Sequence, residues 1–130
     1  MTDQAAPRFD GHYPGRVAID AYGNGGFRFE GMSHRGGLLI LANGMSAWTA
    51  NLTEPLSLGS LAPVLARLAL PEFLLLGTGR TQIFPGADVR RAFLDAHIGL
   101  DVMDTGAACR TYNILLAEKR PVAAAMIAVD

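Results

Sequence analysis

A short apolar run stops at Asp104-Thr105-Gly106-Ala107-Ala108-Cys109-Arg110-Thr111-Tyr112-Asn113, which sets a polar helix start, the only cysteine and an Asn within one stretch. A second junction precedes it, where Phe73-Leu74-Leu75-Leu76 ends at Gly77-Thr78-Gly79-Arg80. A run this short and apolar reads as a buried strand, and Gly-Thr-Gly as its exit loop. Strand, glycine loop, helix, strand, capped helix: this order constrains the second half of the chain to a sheet whose strands are linked through helices.

The rest of that half agrees. Pro71 resets the chain before a strand over 72–76, and Val89, Ala92, Phe93 and Ala96 mark the inner face of a helix. That helix is expected to stop before Gly99, a residue suited to a left-handed C-terminal cap. Leu100–Met103 is a short strand, and Asp104 or Thr105 can cap the next helix, with Ala108, Tyr112, Leu115 and Leu116 facing inward. The turn at Glu118-Lys119-Arg120-Pro121 leads to a last strand over 122–129. Leu58, Leu61, Leu65 and Leu68 recur at helical steps, so an earlier helix is expected over about 57–68. Pro63 fits it only if Ser60 is the N-cap.

The first fifty residues are β-rich. Val17–Ala21 and Phe27–Glu30 alternate around Gly23-Asn24-Gly25-Gly26 and predict a hairpin. Ser33–Gly37 reads as a loop, and Leu38–Leu41 and Met45–Ala50 flank the strong hairpin signal Asn43-Gly44. Residues 1–14 lack periodicity and are expected to be a flexible arm, leaving 15–130 as one domain. The fold class is α/β, with a mixed central sheet, helices on its strand-helix-strand half and a β-rich N-terminal half that extends the sheet or forms a further layer.

With 130 residues, half of them hydrophobic, the chain can bury a core large enough to offset ordering entropy. Eleven basic against twelve acidic residues, without a basic run, speak against nucleic acid or a membrane surface as partner. No apolar stretch reaches the roughly twenty residues of a membrane span, so no direct membrane insertion is expected. A lone Cys109 forms no internal disulfide, and no Cys/His spacing suggests zinc. A reducing, cytoplasmic setting in a bacterium fits, with no metal and no cofactor.

The order of Gly77-Thr78-Gly79, Asp104-Thr105, Ala108-Cys109 and Tyr112-Asn113, followed by the charged turn and Val122–Ile127, resembles a small α/β family. It is the family of mitochondrial NADH dehydrogenase (complex I) assembly factor three and the adipogenesis-associated Mth-type domain proteins. The likeness spans about Arg16 to Val129, and Trp48 after the Asn43-Gly44 turn fits the family's aromatic position. It implies a three-layer Mth-type fold and a non-catalytic, assembly-factor-like domain whose partner is another protein, linked to a respiratory or membrane complex. A homo-oligomer is also compatible. The N-terminus shows no transit-like leader, so the organellar role does not simply transfer.

The alternative is a small-ligand or anion-binding protein, or an enzyme, with its site between the two junctions. Gly77, Thr78, Gly79 and Arg80 can offer amides and a guanidinium to an anion, and Asp104 and Thr105 lie at a helix start with free N–H groups. Each also has a structural role: glycines for the strand exit, Arg80 in solvent, Asp104 and Thr105 as caps. Cys109 near that helix start and beside Arg110 is the one possible reactive group, or else a small core residue. None of His12, His34 and His97 is tied to it as a base. Asn113 either bonds loop backbone or lines a groove with Thr78 and Asp104.

Overall fold

The computed structural model describes residues 11–48 and 54–130. Residues 1–10 of the arm expected over 1–14 and residues 49 and 50 of the expected Met45–Ala50 strand lie outside the described residues, and the described part of that strand ends at Ala47. The described elements are β1 (His12–Pro14), β2 (Ala21–Gly23), β3 (Gly26–Phe29), β4 (Met32–Arg35), β5 (Leu38–Leu41), β6 (Gly44–Ala47), α1 (Leu58–Leu65), β7 (Phe73–Gly77), α2 (Ala87–Asp95), β8 (Leu100–Met103), α3 (Thr105–Ala117) and β9 (Val122–Met126). They form a mixed α/β domain in three layers.

The middle layer is a six-stranded sheet in the order β1-β6-β5-β9-β7-β8, and β2-β3-β4 form a separate antiparallel sheet. Helix-linked β7, β8 and β9 pair in parallel, whereas β5 meets β9 antiparallel and carries the N-terminal hairpin onto the same sheet. The β-rich half thus does both things open to it: β1, β5 and β6 extend the sheet, and β2-β3-β4 make a further layer.

Strand alternation decides which residues meet which layer, because successive side chains point to opposite faces. Leu38, Ile40, Leu75, Val122, Ala124 and Met126 join Phe27 and Phe29 of the small sheet and Ala108, Cys109 and Tyr112 of α3 in one core. Leu39, Leu41, Leu74, Leu76, Ala123 and Ala125 join Leu61 and Val64 of α1 and Val89 and Phe93 of α2 in the other. Trp48 is buried in this second core. Helices therefore cover both faces, and the alanines of β9 leave room for them.

Several boundaries differ from expectation. Met32–Arg35 is strand β4, because His34 turns inward and bonds the Gly37 carbonyl while the flanking polar residues take the other face. Ser57, not Ser60, caps α1: its hydroxyl accepts from Ser60 N–H at 3.2 Å, and Pro63 falls inside the helix. His97 at φ 60° takes the left-handed position after α2, which Gly99 does not. Residues 17–20 form no strand: side chains of α3 bond the Val17 carbonyl and the Ile19 amide and carbonyl, while Asp20 N–H donates to Arg28 O of β3; β9 ends at Met126. Residues 12–14 pair with β6 as an edge strand.

Candidate functional site

The two punctuated junctions meet at one end of the parallel strands. β7 ends at Gly77 beside the first residue of α3: a side chain on Gly77 would stand 3.1 Å from Thr105 Oγ1 and 3.2 Å from Thr105 Cα. Gly79 at φ 99° then turns the chain, a conformation natural to glycine. Its N–H donates to Thr105 Oγ1 at 2.9 Å, and Thr105 N–H donates back to the Gly79 carbonyl at 2.9 Å. The Thr105 hydroxyl donates in turn to the Ile127 carbonyl at 2.7 Å. One buried hydroxyl thus ties the β7 exit, the α3 start and the β9 exit together.

Thr78 seals the same loop from the other side. Its N–H donates to Met103 O, its hydroxyl donates to Thr81 O at 2.6 Å, and Thr78 Oγ1 itself accepts from Ile83 N–H at 3.0 Å. Thr78 is 4% exposed and Thr105 fully buried, so the polar groups of both are used inside the protein. Asp104 caps α3, its carboxylate accepting from Ala107 N–H at 2.9 Å. That bond satisfies one of the four amides that a helix start leaves open. Arg80 is exposed at the loop's edge.

Further along α3 the candidate residues leave the junction. Cys109 is buried one turn in, its thiol 3.6 Å from the Met126 sulfur. Burial pushes the thiol up to about 12, and the Arg110 charge lowers it only in part. A nucleophilic thiol needs the opposite shift, because the thiolate is the reactive form. Asn113 lies another turn away and clamps residue 19: its side chain accepts from Ile19 N–H and donates to Ile19 O, both at 2.8 Å. Asn113 thus bonds loop backbone and does not line a groove with Thr78 and Asp104. Gly77, Thr78, Gly79, Asp104 and Thr105 are therefore brought together, and Arg80, Cys109 and Asn113 stand apart from them.

Two features had no signal in the sequence. Tyr22, from β2, rests its hydroxyl over Gly106, where any side chain would collide with it. Residues 16–19 run as a strap held by side chains: Arg16 donates to Val122 O at 2.7 Å, and the Tyr112 hydroxyl donates to Val17 O at 2.9 Å. Burial pushes the Tyr112 phenol up, with the Arg16 charge opposing. Both features join segments remote in sequence. Among the described residues no cluster of His, Cys, Asp and Glu could hold a metal ion, and no helix is long and apolar enough to cross a membrane.

Residues 19–127 match the family described as protein of unknown function (DUF498/DUF598). The zebrafish (Danio rerio) NADH dehydrogenase [ubiquinone] 1 alpha subcomplex assembly factor 3 is 32% identical over 111 residues, covering 85% of this chain and 64% of that protein. The chain thus spans somewhat less than two-thirds of that relative's length. The Rpa2829 protein of Rhodopseudomonas palustris is 41% identical with a TM-score of 0.78, over 92% of this chain and 87% of that one. A crystal structure described as an outer membrane protein from Bartonella henselae is 38% identical with a TM-score of 0.73, over 92% and 100% of the two chains. A Mth938-like domain protein of Bordetella pertussis is 31% identical with a TM-score of 0.61, over 85% of each chain.

Proposed function

The chain belongs to the family described as protein of unknown function (DUF498/DUF598), and from that premise we propose that it acts by non-catalytic protein–protein contact, as an assembly-factor-like domain. The observation that carries this reading is the filled junction. Where a ligand would reach the start of α3 and the Gly77–Gly79 loop, the Gly79 amide is taken by the Thr105 hydroxyl, the Thr105 amide by the Gly79 carbonyl and the Ala107 amide by the Asp104 carboxylate, and the Tyr22 hydroxyl lies over Gly106. The one thiol is buried and held protonated by that burial. What remains for recognition is the outer surface.

The likeness to a NADH dehydrogenase assembly factor supports assembly of a respiratory complex as the setting. The relative described as an outer membrane protein supports a partner at a membrane. Affinity capture from native lysate tests the reading. A specific partner recovered in stoichiometric amount is the expected result, and recovery of none counts against it. The enzyme or ligand-binding alternative predicts instead that native Cys109 alkylates rapidly at neutral pH and that a small anion suppresses the reaction.

A further inference from the structure

β8 is the last strand of the six-stranded sheet, and among the described residues no strand pairs with its outer side. Leu74 N–H donates to Gly99 O and Thr78 N–H donates to Met103 O, so these alternate residues bond toward β7. Leu100 and Val102 therefore turn their amides and carbonyls outward, since neighbouring residues of a strand bond to opposite sides. Gln82 agrees with this direction: its side-chain amide reaches the Val102 carbonyl at 2.8 Å. The Leu100 amide and carbonyl and the Val102 amide still face out.

Beside this edge runs an open groove of about 500 Å³ between β8 and α2, lined by Phe84, Leu94, Ile98, Leu100 and Val102 among others. Phe84 is 65% exposed and Leu94 is 70% exposed. An open sheet edge next to exposed large apolar side chains is the surface that strand addition uses, with backbone bonds giving affinity and side-chain seats giving selectivity.

Charge says which strand. Leu100 and Val102 pack toward the α2 core and Met103 toward the α3 core, so Asp101 projects on the α3 side, where it is exposed. Two copies of β8 paired about a twofold axis must set outward-bonding residues opposite one another. That places the two Asp101 carboxylates face to face or on a short diagonal, and like charges there repel. A Lys or Arg on a foreign strand converts the same carboxylate into a favourable cross-strand pair.

We propose that an extended segment of a partner protein adds to β8 as a further strand of the sheet, its apolar side chains seated toward Leu94, Leu100 and Val102 and a Lys or Arg set beside Asp101. This deepens the protein-contact reading and rests on it. Asp101 then has two effects: it keeps copies of this chain from stacking edge to edge, and it selects a basic strand.

The test uses the full chain and two end-blocked peptides that alternate valine with lysine or with glutamate, read by amide hydrogen exchange. The lysine peptide is expected to slow exchange at Leu100 and Val102 by about tenfold or more, while the glutamate peptide does not. Asp101→Lys should reverse that preference, and Leu94→Asp should abolish protection by either peptide; both sites are exposed, and circular dichroism checks that the variants fold. Absence of protection by the lysine peptide, equal protection by both peptides, or concentration-dependent protection with no peptide would overturn the proposal, the last by naming a second copy as occupant. A lysate partner whose capture ignores both substitutions likewise removes the β8 proposal while leaving the protein-contact reading intact. Failure to capture any partner counts against that reading alone, and the peptide result still decides the chemistry of the edge.

Discussion

Thr105 is the residue on which the junction turns, because its hydroxyl bridges an amide and a carbonyl from different strand exits. Thr105→Val keeps the shape and removes both bonds, leaving a buried donor and acceptor unmatched. A loss of about 2–4 kcal/mol in urea unfolding is expected; a loss below about 0.5 kcal/mol would mean that water replaces the hydroxyl without penalty. Cys109 gives a pH signature. Its thiol rises from its ordinary 9.0 to about 12 on folding, so the unfolded chain releases that proton first. Stability held below pH 9 should therefore fall as pH climbs toward about 12, by up to about 1.4 kcal/mol per pH unit from this group. Cys109→Ala should flatten the slope by one proton, and an unchanged slope would show that the thiol is not shifted. The Asp104 cap was legible because a short polar side chain before a helical run has a local cause. Asn113 stood out as an interior Asn with backbone bonding as one of its roles, but its partner Ile19 and the Tyr22 hydroxyl over Gly106 were not legible, since each contact joins segments that only the tertiary fold brings together.

Elements show the same division between local and distant causes. The Asn43-Gly44 hairpin, the apolar β7 run and the three helices follow from turn chemistry and periodicity, and they stand near their expected places. β4 was hidden because Ser33-His34-Arg35 is polar, and a strand in a small covering sheet needs only some residues facing the core. In α1 the cap at Ser57 leaves Pro63 deep in the helix, where it lacks the N–H that would bond Gly59. Pro63 is exposed, so Pro63→Ala should restore that bond with little change in packing. A gain of about 1–2 kcal/mol is expected after allowing for the freer unfolded chain, and thermal unfolding would measure it. A loss would show that the ring itself holds α1 against its surroundings.

At the scale of the whole molecule, the three layers explain why the junction is filled and the surface is not. Two cores on opposite faces of one sheet draw the strand exits, the α3 start and the residues after β9 tightly together, and that closeness leaves backbone and hydroxyl groups bonded to one another. The sequence pattern made the two junctions neighbours; it could not reveal how completely they close, because the Ile127 carbonyl arrives from the far end of the chain. It was equally silent on β8 as a sheet edge, which depends on strand order rather than on any local motif. The central claim is that this chain works through its surface and not through chemistry at α3. Quantitative affinity capture from native lysate tests it most directly, comparing the natural chain with Leu94→Asp, Asp101→Lys and Cys109→Ser. The account predicts one specific partner, lost with both surface substitutions and kept with Cys109→Ser. Absence of any specific partner, or capture that depends on Cys109 and ignores the β8 edge, would contradict it.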